Sequence, residues 1–273
     1  MIGRKLVPDG PAMRERPTML LLHGGPGFDH STLATLFEPL ADDLQLVLID
    51  HRGQGRSDGD DAAQWNLERW VPDVLEVCEA LELQHPIVLG QSFGGVVALA
   101  LAARYPDLPS KLVVSSSLAR FRPDRAFPMF ERLGGPHVRE VAERHFRELT
   151  DESHEEFMRV CLPVYNPNPM PAEALARVRL RPEVGNHFFR NEGLDVDLFP
   201  ELGNIRCPTL VVGGELDPIT PVADSEDIAA AIPHAELRIV EGAGHGVFRD
   251  KPEEALAIIR EFVLRRENDV AQP

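Results

Sequence analysis

The apolar run Pro86-Ile87-Val88-Leu89 passes through Gly90-Gln91-Ser92-Phe93-Gly94 directly into Gly95-Val96-Val97-Ala98-Leu99-Ala100-Leu101-Ala102. This succession reads as a strand, a sharp turn and a helix, with a serine at the turn. Glycines flank the serine because larger residues would crowd such a turn. The turn strains the serine backbone so that its hydroxyl stands exposed above the sheet. The start of the helix points backbone N–H groups at the reacting atom.

Two later segments repeat the arrangement of a strand ending in a polar turn. Thr209-Leu210-Val211-Val212 ends in Gly213-Gly214-Glu215-Leu216-Asp217-Pro218, and Leu237-Arg238-Ile239-Val240 ends in Glu241-Gly242-Ala243-Gly244-His245-Gly246. Ser92, Asp217 and His245 therefore each follow the C-terminal end of a predicted strand. In an open α/β sheet those ends converge on one face, where ligands bind. A serine needs a base to become a nucleophile, and a histidine base needs an acid to hold its tautomer and stabilise its charge. Glu215 and Asp224 are rivals for the acid; Asp217 is preferred for its place a few residues past the strand, with Glu215 next.

Further short apolar runs at residues 19–23, 44–49 and 112–114 read as strands, and residues 67–83 show helical spacing. Alternating strands and helices mean a mostly parallel sheet flanked by helices. The alternation stops between about residues 118 and 202, where prolines cluster and helical patterns appear at 138–149 and 155–162. Asp151 or Ser153 is a candidate cap for the second of these. The expected organisation is an α/β core built from residues 1–117 and 203–273, with a helical cap, 118–202, inserted in it. Helices are expected near 223–231 and 255–264, and residues 268–273 read as a loose tail. Eight of the 13 phenylalanines lie in the insertion. They serve as the insertion's own core, or a subset forms the ceiling of an apolar pocket above Ser92.

Other chemistries find less support. With 44 acidic against 28 basic residues the formal charge is −16, which disfavours nucleic acid and anionic membranes as partners. Three cysteines, Cys78, Cys161 and Cys207, are widely spaced and read as reduced thiols, so a cytoplasmic location is expected. No stretch approaches the ~20 apolar residues of a membrane span. The histidines include no His-x-His or His-Glu-x-x-His spacing, so no metal site is expected. A glycine-rich loop after the first strand, with Asp50 at the end of the next, imitates a dinucleotide site. The loop lacks Gly-x-Gly-x-x-Gly, however, and Pro26 removes an N–H that a pyrophosphate would use. His23 reads as a structural loop residue; His187, in the insertion, fits either a structural or a functional role.

With these pieces placed, residues 17–265 resemble the α/β-hydrolase superfamily, and within it the proline iminopeptidases. The resemblance is carried by His23-Gly24-Gly25-Pro26-Gly27, Asp50-His51-Arg52-Gly53-Gln54-Gly55-Arg56-Ser57, Gly90-Gln91-Ser92-Phe93-Gly94-Gly95, Gly213-Gly214-Glu215-Leu216-Asp217 and Gly242-Ala243-Gly244-His245. The order Ser, Asp, His along the chain is that of the superfamily. The resemblance implies an α/β-hydrolase fold and a serine hydrolase that needs no cofactor, with Gly25 and Phe93 N–H groups as oxyanion donors. Such donors contribute ~2.7–4 kcal/mol each to lowering the barrier. It also implies release of an N-terminal proline, or a similar small residue, from short peptides. His-Gly-Gly-Pro-Gly is shared with some esterases and lactonases, so ester or lactone hydrolysis is the alternative. A third reading is a ligand-binding protein without turnover.

Proline iminopeptidases recognise the substrate amine with acidic residues, partly from the cap, and Glu183 and Glu192 are the candidates here. This chain departs from that family in two places. The elbow is usually Gly-Gly-Ser-Trp-Gly, against Gln91 and Phe93 here, and Pro218 follows Asp217 where an acid would help. At most one strand is expected before Met19, so some edge strands usual in the superfamily are expected to be missing.

Overall fold

The computed structural model describes residues 16–265 and the backbone of residues 4–6. The expected loose tail at 268–273 lies outside the described residues. Seven strands form one sheet: β1 (Arg4–Leu6), β2 (Thr18–Leu22), β3 (Gln45–Ile49), β4 (Ile87–Gln91), β5 (Lys111–Ser115), β6 (Thr209–Gly214) and β7 (Glu236–Val240). Their spatial order is β1-β3-β2-β4-β5-β6-β7. β2 to β7 run parallel, and β1 lies antiparallel on β3 as the one described strand ahead of β2.

The continuous apolar runs follow from burial on both faces of a parallel sheet. Leu20, Leu22, Val47, Ile49, Val88, Val114 and Val211 point into one layer. Their immediate neighbours Met19, Leu21, Leu46, Leu48, Leu89, Val113 and Val212 point into the other, as the two-residue strand period requires. Helices α2 (Leu67–Ala80) and α3 (Phe93–Arg104) cover the first face. Helices α1 (Ser31–Phe37) and α12 (Pro252–Leu264) cover the second. α2 stops short of residue 83: Leu81 is exposed and Glu82 turns to a φ of 53°, which ends the helix. β7 at the sheet edge is only partly buried and carries Glu236 and Arg238, charges that discourage further pairing.

Helices α4 (Pro123–Gly134), α5 (Pro136–Glu148), α6 (Asp151–Val160), α7 (Ala172–Leu175), α8 (Pro182–Phe188) and α9 (Phe199–Leu202) follow β5 and precede β6. The cap of α6 is neither Asp151 nor Ser153 but Thr150. Its Oγ1 accepts the Ser153 N–H at 3.1 Å, and Ser153 Oγ accepts the Thr150 N–H at 3.0 Å. That reciprocal pair satisfies two donors the helix start would leave free. The phenylalanines of this segment take more than one role. Phe130 and Phe157 join Val138, Val141, Ala142 and Cys161 in a separate core, while Phe188 packs on Trp70 and Phe93 in the main one. α10 (Val222–Ala231) and the short α11 (Val247–Asp250) precede α12.

Candidate active site

Ser92 occupies the corner between β4 and α3 with φ 56° and ψ −122°, a conformation that costs a non-glycine residue energy. Its N–H donates to Ser115 O on the neighbouring strand at 2.9 Å. The flanking glycines are required by contact. A Cβ on Gly90 would lie 2.2 Å from Gly94 O, and one on Gly94 would lie 2.2 Å from Leu22 O. Strand, turn and helix thus approach too closely for any side chain.

The structure brings the three strand-end residues together. His245 Nε2 lies 2.9 Å from Ser92 Oγ, and His245 Nδ1 lies 2.7 Å from Asp217 Oδ2. Asp217 is fully buried. It also accepts from Ile219 N and Thr220 N at 3.0 Å each and from Thr220 Oγ1 at 2.6 Å, so its carboxylate is held from several sides. The rivals are engaged elsewhere: Glu215 is exposed and accepts from Gly242 N at 2.9 Å, and Asp224 pairs with Arg125 at 2.7 Å. With Nδ1–H donating to Asp217, Nε2 is free to accept the serine proton.

The inserted segment fastens the histidine loop. His245 N donates to Tyr165 O at 2.7 Å, Gly246 N donates to Asn166 Oδ1 at 2.5 Å, and the Tyr165 ring stands edge-on to the imidazole. Gly25 and Phe93 line the cavity at Ser92. Phe93 opens α3, so its N–H has no acceptor within the helix. A Cβ on Gly24 would lie 3.1 Å from Ser92 Cβ, which puts the glycine loop against the serine.

Glu183 and Glu192 are not brought to this site, and the expectation that they face a substrate amine is corrected by their placement. Glu183 is exposed and pairs with Arg181 at 2.5 Å. Glu192 accepts the Leu67 N–H at 2.8 Å and so caps α2, where the helix start favours a carboxylate. Neither lines the cavity.

His23 is buried, donating from Nδ1 to Gly24 O at 2.7 Å and accepting His51 N at 3.2 Å, which is a structural role. His187 stands edge-on to Trp65. Asp50 accepts from His30 N, His30 Nδ1 and Arg56 N. Burial opposes its ionisation, yet those hydrogen bonds hold its carboxyl down at about 2. Asp29, His30 and Asp50 converge closely enough to suggest a metal site. Their carboxylate oxygens are already taken by Ser31 N, Arg56, Arg179 N and His30, which makes the cluster a tether between loops.

Above Ser92 lies a cavity of about 400 Å³. Its walls are largely apolar, with Leu118, Phe121, Phe146, Phe157, Met158 and Ile219 among them. Three of its polar residues, His145, His154 and Arg249, carry no sequence signal of that placement. Burial, aided by the neighbouring His154, pushes His145 down to about 4, and burial also lowers His154. No aspartate or glutamate lines the cavity among the described residues.

Comparison with known proteins agrees with this architecture. The family model described as alpha/beta hydrolase fold matches residues 17–252. A protein of Rhizobium rhizogenes named as a carbamate hydrolase, RutD, is 29% identical over 251 residues, covering 90% of this chain and 93% of that one. The proline iminopeptidase of Neisseria gonorrhoeae is 29% identical over 283 residues, covering 91% of this chain and 89% of its own. The solved enol-lactonase of Burkholderia xenovorans superposes with a TM-score of 0.75 at 22% identity, covering 97% of this chain and 96% of that one.

Proposed function

Because the chain belongs to the alpha/beta hydrolase fold family, we propose that Ser92, His245 and Asp217 act as nucleophile, general base and orienting acid in the hydrolysis of carboxylic esters or lactones. Ser92 Oγ attacks the carbonyl carbon while His245 Nε2 takes its proton, and Asp217 stabilises the imidazolium. The N–H groups of Gly25 and Phe93 hold the oxygen that becomes negative. His245 returns the proton to the leaving alkoxide. Water, deprotonated by the same histidine, then releases the acid from the acyl-enzyme.

The observation that carries the ester reading is the absence of any carboxylate from the cavity lining among the described residues. An aminopeptidase binds a substrate ammonium, and burying that cation among apolar walls without an anion is costly. The two acids expected to supply the anion are committed to Arg181 and to Leu67 N. A neutral acyl chain, by contrast, gains from every apolar wall it covers.

The test compares p-nitrophenyl pentanoate with proline p-nitroanilide, using the protein and its Ser92→Ala variant. The expected result is ester hydrolysis that falls by at least ~10³-fold in the variant, with little release from the anilide. Faster turnover of the anilide would reverse the reading to the aminopeptidase, and ester turnover retained by Ser92→Ala would remove Ser92 as nucleophile.

A further inference from the structure

We propose that Arg249 forms a carboxylate-binding subsite in this cavity, so that the preferred substrate is an ester or lactone carrying one remote carboxylate. The proposal rests on the ester reading and narrows its substrate class.

Arg249 lies in α11, four residues beyond His245, and lines the same cavity as Ser92. Its guanidinium stands beside Gly246, where a Cβ would be 3.2 Å from Nη2. Its Nε is buried and meets no acceptor. No ion pair among the described residues includes it, although the protein holds 44 acidic side chains against 28 basic ones. Other partly buried arginines do find acids: Arg52 pairs with Asp73, Arg104 with Glu201 and Arg125 with Asp224. The adjacent Asp250 turns its oxygens to Asn168 N at 3.1 Å and Gly244 N at 2.9 Å instead.

The charge of Arg249 therefore has no salt-bridge partner among the described residues; burial is the main influence lowering its pKa, and the nearby Asp250 carboxylate opposes that only in part. Leaving a buried donor unmade costs stability that a ligand acceptor restores. A planar guanidinium fork matches a carboxylate with two parallel hydrogen bonds. One cation balances one negative charge, and a phosphate monoester would bring a second that no lysine or other arginine among the described residues of the cavity lining answers. A monocarboxylate fits the charge and the geometry together.

The test uses two esters of equal acyl length, mono-p-nitrophenyl glutarate and p-nitrophenyl pentanoate, with the wild-type protein, Arg249→Gln and Arg249→Lys. The expected ratio of kcat/KM, hemiester to neutral ester, is above about tenfold in the wild type. It falls to below one in Arg249→Gln and is partly kept in Arg249→Lys. Calorimetric binding of monomethyl glutarate and of methyl pentanoate to Ser92→Ala, with and without Arg249→Gln, reads the subsite without turnover. Hemiester binding that Arg249→Gln weakens at least tenfold supports the subsite even if neither ester is turned over, in which case the hydrolase reading alone fails. Equal ratios in the wild type and Arg249→Gln, or equal binding of the two methyl esters, overturn the subsite and leave the hydrolase reading standing. A rim arginine that is merely solvated gives that second result.

Discussion

At the scale of single residues, the glycines of the serine turn differ sharply from glycines elsewhere. Gly94→Ala would place a Cβ 2.2 Å from Leu22 O and 2.6 Å from His23 O, both of them backbone atoms. Neither can swing aside, so urea unfolding should show a loss of ~3 kcal/mol or more. Gly203 has nothing within 4 Å of a Cβ and a φ of −63°, and Gly203→Ala should stabilise by ~0.4–1 kcal/mol in the same measurement. His145 carries a pH dependence. Its folded value is about 4 against the ordinary 6.5, so the unfolded chain takes up the proton first as pH falls. The stability this histidine gains by staying neutral is present above pH ~6.5 and is lost progressively down to pH ~4, an effect of order 3 kcal/mol. His145→Gln should flatten that part of a stability-versus-pH curve measured by denaturant titration. An unchanged slope would mean His145 titrates normally.

At the scale of elements, helix starts and loop fastenings decide where function sits. Thr150→Ala removes half of the α6 capping box and should cost about 1 kcal/mol, read as a lower urea midpoint with an unchanged m-value. Asn166→Ala removes the acceptor of the Gly246 N–H and loosens the loop that carries His245. The expected result in ester kinetics is a lower kcat with KM little changed, because the substrate walls remain while the base is less well aimed. Elements also mark the limits of reading a chain as text. The meeting of Ser92, Asp217 and His245 is legible in sequence because each follows a strand end, a signal contained within a few residues. Thr150 is not distinguishable in sequence from Asp151 and Ser153, because all three are capping residue types within four positions, and only the backbone at Thr150 is extended. Glu183 and Glu192 were misplaced because the destination of their carboxylates depends on how the inserted helices dock. Arg249 was not singled out because an arginine on a short helix reads as solvated until packing shows that nothing pairs with it.

At the scale of the whole molecule, the alternation of strands and helices was enough to read a parallel sheet with two buried faces, since that pattern needs no knowledge of distant contacts. The lining of the cavity was not legible, because it is assembled from segments as far apart as Gly24, Phe157 and Arg249. The helices between β5 and β6 are joined to the face of the sheet that carries Ser92 and His245 at several places. Arg181 N donates to Gly27 O at 2.7 Å, Arg179 N donates to Asp29 Oδ2 at 3.1 Å, and Tyr165 O receives the His245 N–H. Replacing residues 118–202 with a short linker should therefore abolish ester turnover beyond what a wider cavity explains, even if circular dichroism reports an intact sheet. The Tyr165 carbonyl has a consequence for how the protein works through a cycle. A roof that hinged away would take with it the support of the very imidazole beneath it, so access and reactivity are in opposition.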